Sequence, residues 1–384
     1  MTYMAHVYLD HNATTPLDER VLAAMLPFLR EQYGNASSRH ELGTVARKAV
    51  NDAREQIAAL VGAQPAQLIF TSGGTESNNA FIKGAAGMLK PSQLAVSAIE
   101  HPCVAKPAQE LVRVGWKLRK LSVDAAGRVN VDDVREALRT PTGIVSVMLA
   151  NNETGVIQDV AAIAELARAA RAWVHTDGVQ ALGKIDVNFD QLNVHAMTLS
   201  AHKIYGPKGV GALVLDKRIE LKPLISGGGH EQGMRSGTEN VPGIVGFGAA
   251  CQLASGRMHD LAPRLAALRE RLEHGLHRMD AVIFGGAAAR VPNTTYFSLP
   301  DIDGETLVIE LDKAGFAVAS GAACSSASTE PSATLLAMGV APELARGGVR
   351  VSLGKDNTAA QVDDFLRVLG SVFSRLKTLT AIAV

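Results

Sequence analysis

The sequence has no excess of charge of either sign. It contains 38 Lys plus Arg and 38 Asp plus Glu residues, so its formal net charge is zero. A balanced charge gives no electrostatic reason to expect nucleic acid or an anionic membrane as a partner. We therefore expect neither among the partners of this protein.

Cysteine is scarce, and long apolar runs are absent. The three cysteines, Cys103, Cys251 and Cys324, show no CxxC or Cys/His ligand spacing, which argues against a disulfide framework or a metal site. No stretch approaches ~18 uncharged apolar residues, and residues 1–6 lack the regions of a signal peptide. With 384 residues, 47% of them hydrophobic, we expect a cytoplasmic globular protein with two or more domains.

Strand-like and helix-like segments alternate through the first half of the chain. Strand-like runs at 68–71, 94–98, 116–121, 144–149 and 173–176 are separated by segments of helical character. This alternation predicts an α/β fold with a mainly parallel sheet, whose ligands bind at the carboxyl ends of the strands. Polar residues follow several of these runs, namely His101, Asn152, Asp177 and Gln180. Each could be an ordinary turn residue, but together they indicate a site.

A polar, glycine-rich stretch at 200–211 lies between the apolar runs 195–199 and 212–215. It holds Lys203 beside His202 and Ser200, at the end of a predicted buried strand. A lysine placed in this way suits an amine that binds a phosphorylated carbonyl cofactor, and we predict that Lys203 carries pyridoxal phosphate as a Schiff base. The alternative is that Lys203 and Lys208 are solvated turn lysines.

A second glycine turn, Gly73-Gly74-Thr75, follows the strand at 68–71 and opens a helix. Free N–H groups at a helix N-terminus attract anions, and glycine lets a phosphate approach the backbone, so this turn is a candidate phosphate cradle. Simple helix capping is the alternative. The turn is not a P-loop, because no Gly-Lys-Ser/Thr follows it.

The composition changes after a glycine-rich segment at 227–240. We predict one helix at 241–254 and a separate amphipathic helix at 260–279, which links to a C-terminal domain of mixed strands and helices. Within that domain, Cys324 lies in a run of small and polar residues, unlike Cys251, which sits among apolar neighbours. A thiol in such a run is expected to be retained for its reactivity. Cys103 could be structural or reactive, and we favour a structural role, since burial is the usual fate of a free cysteine.

These segments together resemble the cysteine desulfurases of the NifS/IscS type, within the class V aminotransferase group of pyridoxal-phosphate enzymes. The resemblance spans the chain from Tyr8-Leu9-Asp10 to residue 353. Three motifs carry it: Ser200-x-His202-Lys203 with Gly206-Pro207-Lys208-Gly209, the run at 235–240, and Ser320-Gly321-x-Ala323-Cys324.

The resemblance implies a fold-type I architecture. Its large cofactor-binding domain, with a mainly parallel seven-stranded sheet between helices, would span 14–258. A smaller α+β domain would comprise 1–13 and 259–384 and carry the catalytic cysteine loop at about 320–332. The implied homodimer would exchange Thr238, which reaches the phosphate of the neighbouring subunit.

The resemblance also implies a role for each site residue. Lys203, Cys324 and His101 would be catalytic, and Asn35, Asn152 and Arg350 would bind substrate. The cofactor would be held at its phosphate, ring and oxygen by Gly74, Thr75, His101, Asn152, Asp177, Gln180, Ser200, His202, Lys203 and Thr238.

The implied reaction converts L-cysteine to L-alanine and leaves a persulfide on Cys324. A sulfur-acceptor or iron–sulfur scaffold protein would then take the sulfur. Ala36 and Gln232 depart from the usual motifs of the group but remove no catalytic residue. The alternatives are a selenocysteine lyase or aminotransferase of the same group, and a catalytically silent sulfur-transfer scaffold partner.

Overall fold

The computed structural model describes residues 6–321 and 330–382. The helices in these ranges are α1 (Glu19–Arg30), α2 (Glu41–Leu60), α3 (Gly74–Met88), α4 (Pro102–Leu111), α5 (Val131–Ala137), α6 (Val160–Ala169), α7 (Phe189–Leu192), α8 (Val241–His277), α9 (Gly304–Lys313), α10 (Ala333–Ala337), α11 (Pro342–Arg346) and α12 (Ala359–Ile382). The strands are β1 (Val7–Tyr8), β2 (Leu68–Thr71), β3 (Gln93–Ser97), β4 (Lys117–Leu121), β5 (Thr142–Ser146), β6 (Trp173–Asp177), β7 (Ala196–Ser200), β8 (Gly211–Leu215), β9 (Val282–Phe284), β10 (Thr294–Ser298), β11 (Phe316–Ala317), β12 (Ala319–Ser320) and β13 (Val349–Ser352).

Seven strands form the central sheet, in the order β2-β8-β7-β6-β5-β3-β4. Strand β8 runs antiparallel to β2 and β7, and the other neighbouring pairs are parallel. Strands β7 and β8 are buried along their whole length, as expected for strands with helices on both faces of the sheet. The prediction of a mainly parallel seven-stranded sheet in an α/β fold is confirmed.

A second, antiparallel sheet has the order β12-β13-β10-β9. The N-terminal strand β1 does not join the central sheet but pairs with β11, with Val7 opposite Phe316. The segment after β1 also touches this part of the chain, because the backbone N–H of His11 donates to the carbonyl oxygen of Ser352. The segment from Val7 to His11 therefore packs beside the smaller sheet.

Helix α8 runs without interruption from Val241 to His277, so the prediction of two separate helices is wrong. The polar stretch near 255–260 contains no residue that ends the helix. It is the part of α8 between two segments that bury apolar side chains. Residues up to Ala254 pack in the core beside the central sheet, and those from Leu265 pack in the core of the smaller sheet. The predicted domain boundary at 258 falls inside this helix. Within the residues described, no helix has the length and apolar character needed to cross a bilayer.

Candidate active site

Polar side chains from successive strand ends of the central sheet meet at one cavity of about 330 Å³. Its walls include residues that follow β2, β3, β5, β6 and β7, as expected for a ligand site at the carboxyl edge of parallel strands. Predicted site residues that line it are Gly74, Thr75, His101, Asn152, Asp177, Gln180, Ser200, His202, Lys203 and Arg350.

Lys203 lies in a 3₁₀ turn, Ala201–Lys203, directly after β7. Its Nζ donates to the backbone carbonyl oxygens of Asn12 and Ala13, each at 2.6 Å. The side chain is half-buried and lines the cavity. The two carbonyl groups therefore hold the amine at a position from which it can bond a carbonyl-bearing cofactor.

Asp177 ends strand β6 and is 5% exposed. One carboxylate oxygen accepts from Asn78 Nδ2 at 2.7 Å, and the other accepts from the backbone N–H of Val179 at 3.0 Å. A carboxylate has about four lone-pair sites, so this group retains the capacity to accept from a protonated ring nitrogen. Asp177 thus fits the predicted partner of a pyridine ring.

The glycine turn at the start of α3 has the features of a phosphate cradle. Gly73 adopts φ 150° and ψ −179°, a backbone region open essentially to glycine alone, and no side chain caps the helix. Beside the turn, a Cβ placed on Gly74 would lie 3.8 Å from Cβ of Ser200, and the buried hydroxyl of Ser200 has no hydrogen-bond partner among the residues described. A helix N-terminus without a side-chain cap and an unpaired buried hydroxyl together fit a phosphate.

His202 lies beside the same opening, with Nδ1 3.1 Å from the hydroxyl of Thr14. Burial, reinforced by Lys203 and Lys208, lowers the pKa of His202 to about 4. The imidazole is therefore neutral at pH 7, and it offers a hydrogen bond to an anion without adding a full charge.

His101 caps helix α4 and is fixed by a neighbouring cysteine. Its Nδ1 accepts from the backbone N–H of Cys103 at 3.2 Å and lies 2.8 Å from the Cys103 sulfur. Burial raises the pKa of the Cys103 thiol to about 12, so the S–H group donates to Nδ1. Burial also lowers the pKa of His101, although Asp177 opposes this change. His101 is therefore a neutral base whose Nε2 carries the proton.

Arg350, from β13, is 6% exposed and reaches the cavity from the smaller sheet. Nη1 donates to the carbonyl oxygen of Asn152 at 2.9 Å, and Nη2 donates to Asp10 Oδ1 at 2.6 Å. The Nε–H group is buried and has no partner among the described residues. The guanidinium is thus held in place with donors left for a carboxylate.

Three predicted site residues are not part of this cavity. Asn35 is exposed in the loop before α2, where its Oδ1 accepts from the backbone N–H of Ser37. Thr238 is exposed in the loop before α8 and does not line the cavity of its own chain. Cys324 lies outside the described residues, but Ser320 and Gly321, just before it, line the cavity wall. The roles of Asn35, Thr238 and Cys324 stay predictions.

Asn12, which no sequence pattern singles out, is 2% exposed and joins both sheets at the cavity. Its Nδ2 donates to the hydroxyl of Thr294 at 2.9 Å, and its backbone N–H donates to Ser352 Oγ at 2.9 Å. On the other side, its backbone oxygen accepts from Gln180 Nε2 at 2.9 Å. The only local signal is a polar turn after β1, because all these partners lie more than 150 residues away.

Lys184, which is half-buried, also had no signal in the sequence. Its Nζ donates to Asn12 Oδ1 at 2.8 Å and to Gln180 Oε1 at 2.6 Å. Burial, followed by the charges of Lys203 and Arg350, lowers the pKa of Lys184 well below its usual value. This amine orients the Gln180 amide, whose Nε2 consequently points its hydrogens away from Lys184.

No cluster of metal-ligating side chains occurs in residues 6–321 and 330–382.

Known proteins are similar to this chain in sequence and in fold. The model of the aminotransferase class-V family matches residues 7–365. The cysteine desulfurase IscS of Dictyoglomus turgidum is 43% identical over 378 residues, which cover 97% of this chain and 96% of that relative. A solved NifS-like protein has a TM-score of 0.91 at 38% identity, with 96% of this chain and 99% of the other covered.

A further solved structure is described as SspA in complex with cysteine. It has a TM-score of 0.81 at 32% identity and covers 90% of this chain and 98% of its own. Together with the fit of Asp177, Ser200 and the Gly73 turn to a phosphorylated pyridine, these likenesses settle the family and the cofactor. The chain belongs to the class-V aminotransferase family, in its group of cysteine desulfurases, and its cofactor is pyridoxal phosphate.

Proposed function

We propose that this protein takes the sulfur atom from L-cysteine, releases L-alanine and keeps the sulfur as a persulfide on Cys324. One observation carries the proposal: Lys203 and Arg350, from the two sheets, line a single cavity whose wall continues into Ser320 and Gly321, just before Cys324. An amine, an anion-binding guanidinium and a nucleophile are the groups that this reaction requires.

The bound cofactor supplies an electron sink for negative charge at the substrate Cα. Lys203 accepts the Cα proton, since its Nζ already lies at the cavity wall. Asp177 accepts a hydrogen bond from the ring nitrogen and stabilises its protonated form. Arg350 binds the substrate carboxylate through donors that Asp10 and Asn152 leave available.

Cys324 performs the sulfur transfer. Its thiolate attacks the substrate sulfur, so that an S–S bond forms as the Cβ–S bond breaks. The electron pair of the broken bond ends, with a proton, in the methyl group of alanine, and the sum is enzyme thiol plus L-cysteine to enzyme persulfide plus L-alanine. An unperturbed thiol is only a few per cent ionised at neutral pH. We assign His101 as the base that takes this proton at Nδ1, which then gives up its hydrogen bonds from Cys103.

Parallel substitutions separate the cofactor step from the sulfur step. Wild-type protein given L-cysteine and a reductant should release sulfide and alanine in equal amounts. Lys203→Ala should lose the visible absorption of the bound cofactor, whereas Cys324→Ser should keep the colour and lose sulfide release. Cys251→Ser, at a fully buried position, is the matched control. Sulfide release that survives in Cys324→Ser but not in Cys103→Ser would refute the assignment of the nucleophile.

Substrate selectivity is tested in the same assay with L-selenocysteine beside L-cysteine. A desulfurase should turn over L-cysteine at a comparable or higher kcat/KM. Turnover confined to selenocysteine would identify a selenocysteine lyase instead. Accumulation of a keto acid in place of alanine would identify an aminotransferase, and a protein without turnover would be a silent scaffold.

The assembly we propose is a homodimer in which Thr238 binds the phosphate in the neighbouring subunit. Thr238 supports this role because it is exposed and lies outside the cavity of its own chain. The Thr238→Val variant and the Lys203→Ala variant should each have low activity alone. Their mixture should recover activity, because one of the two sites in a mixed dimer would then be intact. No recovery in confirmed mixed dimers would exclude the exchange.

The persulfide sulfur would pass to an acceptor or iron–sulfur scaffold protein in the cytoplasm. The name IscS of a relative that is 43% identical supports such a pathway. Labelled persulfide sulfur should move to a purified iron–sulfur scaffold faster than to bovine serum albumin. Equal rates would remove the support for a dedicated scaffold.

A further inference from the structure

Described residues on the two sides of the segment that carries Cys324 lie against each other. A methyl group added to Gly321 would lie 1.8 Å from the Tyr296 hydroxyl and 3.1 Å from Cβ of Ser332. Only glycine, which has no Cβ, fits at position 321. The residues that flank the ten residues 322–331 therefore meet beside Tyr296. We call this contact, made by Gly321, Ser332, Thr334, Tyr296 and Glu153, the neck.

The carboxylate of Glu153 ties the neck to the central sheet. One oxygen accepts from Ser332 Oγ at 2.5 Å, and the other accepts from Thr334 Oγ1 at 2.8 Å. Burial raises the pKa of Glu153, and Arg350 opposes that change. Burial, together with the charge of Glu153, raises the pKa of Tyr296 well above its usual value. The neck is therefore a polar junction within the protein, with Glu153 at its centre.

The position of Glu153 relates the neck to the reaction. Glu153 lines the cavity and directly follows Asn152, whose carbonyl oxygen accepts from Arg350. Its two hydroxyl partners belong to the smaller domain, at the start of α10. A single carboxylate thus holds the returning flank of the cysteine segment against the wall of the cavity.

We propose that Glu153 is a positioning residue for sulfur transfer, which fixes the neck and thereby confines Cys324 near the substrate sulfur. This inference rests on the proposed function, because it requires Cys324 to be the nucleophile. Cys324 is three residues from Gly321, so their Cα atoms are at most roughly 11 Å apart. Anchoring the second flank restricts the same segment further and raises the effective concentration of the thiol.

The role predicts a defect in one step only. Glu153→Gln retains the shape but gives up one of the two acceptor oxygens, and Ser332→Ala/Thr334→Val removes both donors while it keeps the carboxylate. In both variants, exchange of the Cα hydrogen of L-alanine with deuterium from solvent should match wild type within about twofold. Persulfide formation in a single turnover with L-cysteine should slow by about 10- to 100-fold, as expected for a misplaced reactant.

A matched control removes a comparable bond elsewhere. The hydroxyl of Thr295 donates to Glu273 at 2.9 Å, and Thr295 is fully buried outside the cavity lining. Thr295→Val should slow neither step, so a slowing of persulfide formation in this control would overturn the specific role of the neck.

A second readout needs no turnover. A nitroxide attached to Cys324 of the cofactor-loaded protein, in which the other two cysteines are buried, should give narrower lines in both neck variants than in wild type. Unchanged lines in both would overturn the anchoring role.

Two kinetic results would also overturn the proposal. Equal slowing of Cα exchange and persulfide formation in Glu153→Gln would place Glu153 in proton transfer instead of positioning. Wild-type persulfide formation in Ser332→Ala/Thr334→Val would show that the hydroxyl bonds do not matter. Failure of the proposed function is distinguishable, since sulfide release would then persist in Cys324→Ser.

Discussion

Replacing Arg350 by lysine tests how the site binds the substrate carboxylate. In the structure two guanidinium nitrogens are already committed, to the carbonyl of Asn152 at 2.9 Å and to Asp10 at 2.6 Å. The buried Nε–H remains without a partner among the described residues. Lysine has a single nitrogen, so it cannot hold these two acceptors and also present two donors to a carboxylate.

The expected loss is one charge-assisted hydrogen bond to the substrate. Such a bond contributes about 1.5–3 kcal/mol, which corresponds to a rise in KM for L-cysteine of about 10- to 150-fold. The dissociation constant of L-alanine, measured from the change in the cofactor spectrum, should rise by a similar factor. Affinity for pyridoxal phosphate should not change, because Arg350 touches none of the groups we assign to the phosphate or the ring nitrogen.

Asp10→Asn is the companion variant, because it keeps an acceptor for Nη2 while it removes the negative charge beside the guanidinium. It should retain L-alanine binding or strengthen it. A threefold or smaller change in KM for Arg350→Lys, or a loss of cofactor affinity equal to the loss of L-alanine affinity, would refute the role assigned to Arg350.

Two further substitutions probe the cavity surroundings and the framework. Glu231→Ala breaks a buried ion pair with Arg54 at 2.6 Å and should lower the free energy of unfolding by about 3–5 kcal/mol in urea titrations. The control Asp52→Ala, in an exposed helical pair, should lower it by less than about 1 kcal/mol. Equal losses of stability in the two variants would contradict this prediction. Burial raises the pKa of Glu100 from 4.5 to about 8, so the folded state binds the extra proton and the stabilisation that this proton provides should fade as pH rises from 4.5 towards 8. The stability difference between wild type and Glu100→Gln should therefore fall between pH 5 and 8, and a difference independent of pH would contradict the shift.

Local sequence patterns predicted the elements that present the site. Neighbours a few residues away indicate each of three features: the glycine turn at 73–75, the strand end at Asp177 and the loop of Lys203. Gly73 is an example, since only glycine adopts its backbone angles readily, and the strand before it is a short apolar run. These features depend on short apolar runs and the turn residues beside them, which a single sequence displays directly.

The contacts that complete the site were not predictable in the same way. Asn12 and Lys184 are polar residues in ordinary turns, and they bond each other although they are 172 residues apart along the chain. Nothing local distinguishes a buried, shared hydrogen bond from a solvated one. The continuity of α8 was hidden for the opposite reason, because its exposed middle resembles a loop in composition although both of its ends are buried in separate cores.

Links between the two sheets determine the geometry of the site more than either sheet does alone. Asn12 bonds residues of both, Arg350 crosses from the smaller sheet to Asn152, and Glu153 binds two hydroxyl groups at the start of α10. The residues that we assign to the cofactor, by contrast, follow strands of the central sheet, with Lys203 as the proposed anchor. Loss of one of these links should therefore impair substrate binding or sulfur transfer while the cofactor stays bound. Because bonds across packed cores have few alternative arrangements, small displacements there would move Arg350 and the cysteine segment relative to Lys203 without unfolding either part.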